Sequence, residues 1–396
     1  RISSMNRVSD LERQYVIEAL NGEFRSSASD LFRHRLEASF CQHFGTKHAV
    51  AVNSGTSALH VALISCGVAA GDEVVVPPLT MASTSMCALQ CGAVPVFADV
   101  DRETFTLEPG SVSACITDRT KAIIPVSLYG LPPDYDGLTS VCRHSDLSMI
   151  EDNAQCYLGR YHGHVVGSFG DISCYSFQAS KHMTCGDGGI LTTDCEEHAD
   201  RARQFATLGY SGVSTRQGKI EKGDVQDPAF PRHVDLGYNY RLSELNAAVA
   251  LAQLERLDQL VEHRVKVATM YQNATQEFDF LIPQRVPDGL YHCYWSYPLL
   301  LDTDKPEVDW YEFRDLFRQN GGESYYAAWL LTYREPLMQN YKASCSAVSQ
   351  SYEPGLCPNA EYLQPRLIQL QTNHWDLDWA AAQAEILHLT AEEFSR

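Results

Sequence analysis

Short β-branched stretches alternate with helix-like stretches through the first half of the chain, and this alternation constrains the fold more than any other feature. Ala58 to Cys66 reads as a helix ending at Gly67, after which Gly71-Asp72 leads into the strand Glu73-Val74-Val75-Val76-Pro77. A helical segment from Ser83 to Gln90 then precedes a strand over Val94-Pro95-Val96-Phe97-Ala98-Asp99. Ala122-Ile123-Ile124-Pro125-Val126 and Ser148-Met149-Ile150-Glu151-Asp152 continue the pattern. Strands separated by helices predict an α/β fold with a mainly parallel central sheet flanked by helices. In such sheets ligands bind beyond the carboxyl ends of the strands, so the chemistry is expected just past those strands.

The second half reads differently. One long amphipathic helix is expected from Leu242 to about Tyr271, with Leu245, Val249, Ala252 and Leu257 among its apolar positions. Beyond it Tyr291 to Leu301 looks strand-like, and Tyr311 to Arg318 and Trp379 to Leu389 look helical. A chain of 396 residues with 44% hydrophobic residues exceeds what one core usually serves. The expected division is a large domain over 1–260, including an N-terminal helical segment, and a smaller α+β domain over 261–396. The polar stretch Gly212 to Asp227 is expected to be a mobile loop.

A formal net charge of -19 argues against nucleic acid as a partner, because that affinity needs clustered Lys and Arg. Apolar runs are short, and Arg1-Ile2-Ser3-Ser4 carries no apolar signal core, so neither a membrane span nor export is expected. The 13 Cys residues are odd in number, scattered and never spaced C-x-x-C, as expected of reduced cytoplasmic cysteines. His162-Gly163-His164 lacks acidic or thiolate neighbours and reads as a hairpin turn; no metal site is expected.

Three stretches carry chemistry. Asn53-Ser54-Gly55-Thr56-Ser57-Ala58 opens a helix, where free backbone N–H groups and the helix dipole suit a phosphate; an ordinary N-cap is the alternative. Ile150-Glu151-Asp152-Asn153-Ala154-Gln155 ends a strand, and a carboxylate there can pair with a protonated ring nitrogen or merely cap the next helix. Of the two acids Asp152 is the stronger candidate. Finally, Lys181 stands between the apolar strand Ser173-Cys174-Tyr175-Ser176-Phe177 and the glycine-rich turn Gly186-Asp187-Gly188-Gly189. Desolvation there favours a neutral amine able to form a Schiff base. Ser176, on the same strand, is placed to bind a phosphate.

Together with Gly237-Tyr238-Asn239-Tyr240-Arg241-Leu242-Ser243-Glu244, these stretches give the chain a resemblance, from about Phe40 to about Asp258, to the DegT/DnrJ/EryC1/StrS family of sugar aminotransferases. The resemblance implies a fold-type I enzyme with pyridoxal 5'-phosphate bound in the large domain. It implies Lys181 as the Schiff-base lysine, Asp152 as partner of the pyridine nitrogen and Gln155 as neighbour of the phenolic oxygen. Gly55, Thr56, Ser57 and Ser176 match the phosphate cradle, and Asn239 the asparagine lent to the opposite subunit's site, so a homodimer with composite active sites is implied. Met81 stands where the family usually places an aromatic ring over the cofactor; a thioether can still pack on an aromatic face.

The implied reaction is ping-pong transfer of an amino group from glutamate or glutamine to a keto- or aldehyde-sugar. The acceptor is either nucleotide-linked or free, such as an oxidised 3-deoxy-octulosonate or a keto-cyclitol. A sugar dehydratase or lyase of the same fold is a rival, which the presence of Lys181 opposes. A non-catalytic sensor is another, opposed by Lys181 with Asp152. A nicotinamide-dependent oxidoreductase lacks its G-x-G-x-x-G fingerprint here. His182 is read as a packing residue ahead of a cofactor contact. Tyr325, Tyr326, Trp329 and Tyr333 are read as core filling ahead of walls of a sugar pocket.

Overall fold

The computed structural model describes residues 5–22, 32–213, 223, 226–302, 310–344 and 347–396. Most of the Gly212 to Asp227 stretch, expected to be a mobile loop, lies outside the described residues. Nine strands fall in the first part of the chain: β1 (His48–Val52), β2 (Glu73–Val76), β3 (Val94–Phe97), β4 (Thr120–Ile123), β5 (Ser148–Asp152), β6 (Arg160–Tyr161), β7 (His164–Val165), β8 (Ile172–Ser176) and β9 (Gly189–Thr193). Seven of them form one sheet in the order β1-β9-β8-β5-β4-β2-β3. The contacts from β8 through β3 are parallel, and β9 runs antiparallel to both neighbours. The sheet is thus mainly parallel, as the alternating pattern required. His162 and Gly163 form the turn of the β6–β7 hairpin.

Alternation along each strand builds two cores on the two faces of this sheet. Val50, Val52, Val74 and Val76 face one core with the Gly55–Ser65 and Ser83–Gln90 helices. Ala49, Ala51 and Val75 face the other, with the Phe32–Phe44, Tyr135–Ser145 and Glu244–Leu254 helices. Each fully buried Val or Leu contributes about 1.5–3 kcal/mol relative to exposure, so the sheet's register is strongly specified.

The later strands are β10 (Leu281–Pro283), β11 (Leu290–Tyr291), β12 (Ser296–Leu301), β13 (Tyr326–Ala327) and β14 (Leu367–Gln371). β10, β12, β14 and β13 make a second, antiparallel sheet in that order. It packs against the Leu257–Thr275, Trp310–Gln319 and Leu377–Phe394 helices. Ala328, Leu331, Tyr333 and Leu367 join the core of the main sheet instead, so the later part of the chain is anchored in the earlier one.

Two expected elements are divided. The helix predicted from Leu242 to Tyr271 is two helices, Glu244–Leu254 and Leu257–Thr275, because the chain is pinned at the junction. There Arg256 Nη1 donates to buried Glu12 at 2.7 Å and its Nη2 to the Asn6 carbonyl at 2.7 Å. The strand predicted from Tyr291 to Leu301 breaks between β11 and β12, where Tyr294 takes a left-handed conformation with φ 49°. Its N–H donates to His292 Nδ1 at 2.9 Å, and the Cys293 N–H donates to the Gly130 carbonyl at 3.0 Å. Trp295 is thereby turned out of the strand. Among the described residues no helix is long and apolar enough to cross a membrane.

Candidate active site

A cavity of about 360 Å³ lies where the carboxyl ends of β5 and β8 meet the first turn of the Gly55–Ser65 helix. Gly55, Thr56, Met81, Asp152, Gln155, Ser176 and Lys181 all line it. Ser57 and Asn239 do not.

Glu151 and Asp152 are consecutive on β5 and therefore point to opposite faces. Glu151 is fully occupied: it accepts from the Tyr135 hydroxyl at 2.9 Å, Asn153 Nδ2 at 3.0 Å and the N–H groups of Gly167, Phe169 and Gly170 at 3.0, 2.8 and 2.9 Å. It belongs to the loop architecture. Asp152 faces the cavity, accepting from Thr84 Oγ1 at 2.9 Å and the Ala154 N–H at 3.2 Å. It is 5% exposed, and burial pushes its carboxyl above the usual range against the pull of Thr84, Ala154 and the Lys181 charge. A buried carboxylate with unspent acceptor capacity is matched by a cationic ring nitrogen, which supplies both donor and counter-charge.

Lys181 sits in a compact turn after β8. Its N–H donates to the Gln178 carbonyl at 3.0 Å, while Gln178 Oε1 accepts from the Ser180 N–H at 2.7 Å. The chain then returns through Gly186, whose φ of 90° suits glycine, and Phe177 N–H closes on the Gly188 carbonyl at 2.8 Å. The half-buried side chain lies at the cavity wall with Nζ 4.4 Å from the centre of the Trp295 ring. Burial lowers its pKa to about 8, opposed by Asp152 and reinforced by Arg264. Roughly a tenth of the amine is therefore uncharged at pH 7, far more than in an ordinary lysine, and it is this form that acts as a nucleophile.

The opposite end of the cavity suits an anion. Ser54 Oγ caps the Ser57 N–H at 3.0 Å and the Ser54 carbonyl takes the Ala58 N–H, leaving the N–H groups of Gly55 and Thr56 for an incoming oxyanion. A Cβ on Gly55 would lie 2.8 Å from Ser176 Cβ, so glycine is what permits the helix to approach β8 this closely. The Thr56 and Ser83 hydroxyls are 2.9 Å apart, whereas the Ser57 hydroxyl is turned inward to Asn53 Oδ1 at 2.6 Å. Gln155 is oriented by the buried Tyr129, whose N–H donates to Oε1 at 2.7 Å from a left-handed conformation with φ 61°. An anion cradle at one end and an uncompensated carboxylate beside a desolvated lysine at the other fit a phosphorylated pyridine aldehyde.

His182 is not part of the cavity. Its Nε2 lies 2.9 Å from the Cys293 carbonyl and its ring packs beside Tyr157. Met81 lines the cavity half-exposed. Asn239 is exposed and next to a surface strip in which Val234, Leu236 and Tyr238 are 55%, 73% and 41% exposed.

Trp295 and Trp329 line the cavity but escaped the sequence reading: Trp295 was hidden inside a predicted strand, and Trp329 was read as core. Thr84, buried behind the cavity wall, was missed as the donor that holds Asp152. Tyr325 and Tyr333 do fill core. Trp329 and Tyr326 instead line a second cavity of about 400 Å³, which shares Ser180, Trp295 and Trp329 with the first. The two tryptophan rings stack with centres 6.0 Å apart and planes 16° from parallel.

The sequence model of the DegT/DnrJ/EryC1/StrS aminotransferase family matches residues 7–378. The chain is 37% identical over 297 residues to the spore coat polysaccharide biosynthesis protein SpsC of Bacillus subtilis, covering 75% of each. It is 36% identical over 301 residues to GDP-perosamine synthase of Caulobacter vibrioides, covering 74% of this chain and 76% of that one. The crystal structure of an aminotransferase from Psychrobacter cryohalolentis shares the fold, with a TM-score of 0.87 over 100% of this chain and 99% of that one at 24% identity.

Proposed function

The chain belongs to the DegT/DnrJ/EryC1/StrS aminotransferase family, and from that premise we propose that it transfers an amino group from glutamate or glutamine to a keto- or aldehyde-sugar, with pyridoxal 5'-phosphate held on Lys181. The observation that carries this reading is the convergence of Lys181, Asp152 and the Gly55–Thr56 turn on one cavity. When bound, the cofactor supplies an aldehyde that condenses with amines and a protonated ring that accepts electrons from the carbon losing its proton. Lys181 would hold that aldehyde, and its free amine would carry the proton at Nζ. Asp152 pairs with the ring nitrogen and keeps it protonated. Gln155 would meet the phenolic oxygen, Met81 would pack on the ring, and Gly55, Thr56, Ser57 and Ser176 would hold the phosphate. Of these, Ser57 acts through the turn it shares with Asn53. The donor's keto acid leaves before the sugar enters, so the order is ping-pong.

Relatives named for a spore coat polysaccharide and for GDP-perosamine support a sugar acceptor, including a nucleotide-linked one. We place the acceptor in the second cavity, where Trp295 and Trp329 offer flat apolar faces and Gln369, Gln371 and Asn373 offer amides for hydroxyls. Asn239, on its exposed apolar strip, is assigned to the partner's site in a homodimer, and the division into domains over 1–260 and 261–396 is retained as part of this reading.

Mixing the cofactor-loaded protein with glutamate or glutamine, without acceptor, should bleach the visible absorbance of the lysine-bound cofactor and release stoichiometric keto acid. A spectrum unchanged by every common amino donor sinks the proposal. Tyr326→Ala, at a residue that lines the second cavity and not the first, should raise the acceptor KM roughly tenfold while leaving this donor step unaltered, a loss of about 1.4 kcal/mol typical of one aromatic wall. An unchanged acceptor KM would move the sugar elsewhere.

A further inference from the structure

The Leu257–Thr275 helix carries a cation, Arg264, that reaches the wall of the second cavity but has no role in the amino transfer described above. Arg264 is 1% exposed, and no carboxylate stands among the groups that set its proton affinity. Its charge is met instead by neutral oxygens. Nη2 donates to the carbonyls of Ser180 and Lys181 at 2.7 and 2.8 Å, and Nη1 to the Trp295 carbonyl and Thr372 Oγ1 at 2.8 and 3.2 Å. Thr372 Oγ1 in turn lies 2.7 and 2.9 Å from the carbonyls of Tyr294 and Trp295, which share its one proton. Among the described residues Nε is buried without a hydrogen-bond partner. Trp295 Nε1 closes the ring by donating to the Ser180 carbonyl at 3.0 Å. One guanidinium therefore ties the lysine turn to the segment that presents Trp295 and to the end of β14.

An unneutralised buried cation is costly, and its retention calls for a reason beyond fastening. A neutral donor could hold the same carbonyls. Only a charge acts on the amine.

We propose that Arg264 is a positioning residue for Lys181: it fixes the backbone of the lysine turn through the Ser180 and Lys181 carbonyls and keeps a positive charge near the amine. The charged and titratable groups around this arrangement act in different directions. Asp152, from β5, favours the protonated amine, and Arg264 disfavours it. Arg7, from the N-terminal segment, donates to the Lys181 carbonyl at 3.2 Å and to that of Ala179. Arg7 also repels Arg264, while Cys293 attracts it when deprotonated, and His182 turns its ring to the Cys293 carbonyl. Asp187 lines the Lys181 cavity. Burial lowers the guanidinium to about 9, which still leaves it charged where Lys181 titrates.

The inference rests on Lys181 being the reacting amine of the proposed function, so its test reads that amine directly. Full-length protein freed of cofactor is labelled with a small amine-reactive anhydride across a pH series, and modification of the Lys181 peptide is quantified by mass spectrometry. The wild-type midpoint should fall near the lowered value of about 8. In Arg264→Gln, which removes the charge, the midpoint should rise by about one pH unit, and turnover near neutrality should fall about tenfold with partial recovery at higher pH. Arg264→Lys keeps the charge and loses the fork, so its midpoint should stay at the wild-type value while kcat drops. An unchanged midpoint in folded Arg264→Gln overturns the proposal. Should that variant not fold, a midpoint raised in Arg264→Lys overturns it equally. Labelling needs no transamination, so failure of the amino-donor reaction and failure of the Arg264 role are separable.

Discussion

Lys181→Ala should lower turnover by roughly 10³-fold or more while the protein stays folded. Proton transfer by a positioned side chain is worth about 10²–10⁴-fold, and this substitution also removes the anchoring amine. Folding should survive because Nζ lies over the Trp295 ring at a cavity wall, and Arg264 already disfavours its charged form. The measurement is turnover with glutamate and a keto-sugar set against thermal unfolding of the same preparation. Full turnover in the variant would show that the reacting amine lies elsewhere. The same variant tests the composite site. If Asn239 serves the partner's cavity, Asn239→Ala is also weak, and mixing the two variants rebuilds one intact site in each mixed dimer. Random reassociation then restores roughly a quarter of wild-type activity, because half of the dimers are mixed and each has one intact site. Activity no higher than the sum of the separate variants would place Asn239 outside the partner's site.

Asp152→Asn should cost about 10²–10³-fold in kcat, the scale of removing one electrostatic partner from charge that develops in a water-poor site. The amide keeps the size of the carboxylate, and the cradle at Gly55 and Thr56 is untouched, so cofactor content should remain close to wild type. A second readout has a definite sign. The Asp152 charge raises the proton affinity of Lys181, so its removal should shift the Lys181 labelling midpoint below about 8, opposite to the direction expected for Arg264→Gln. Retention of turnover within about threefold of wild type would remove Asp152 from the chemistry.

Much of the site was legible because its parts are local in sequence. Glu151 and Asp152 occupy consecutive positions on a strand, so one had to face the ligand end and the other the core. The choice between them follows from chain outside the strand: the N–H groups of Gly167, Phe169 and Gly170 consume Glu151. The glycines around Lys181 announced a tight turn, and the Asn53 to Ala58 run announced a helix start. What went unread depended on distant partners. Trp329 sits among residues that alternate between core and cavity, and no local pattern separates it from Tyr333.

The sequence by itself determined the alternation of strands and helices, the mainly parallel sheet, and the order in which Lys181, Asp152 and the Gly55 turn come together, since each depends on side-chain period and turn chemistry within a few residues. Tertiary structure alone decided the break at Glu255 and Arg256, the left-handed Tyr294 that turns Trp295 toward Lys181, and the burial of Arg264. The physical reason is range. Arg264 reaches the Ser180 carbonyl across 84 residues, and an arginine on an amphipathic helix has no local mark to distinguish one that faces water from one that holds a lysine turn.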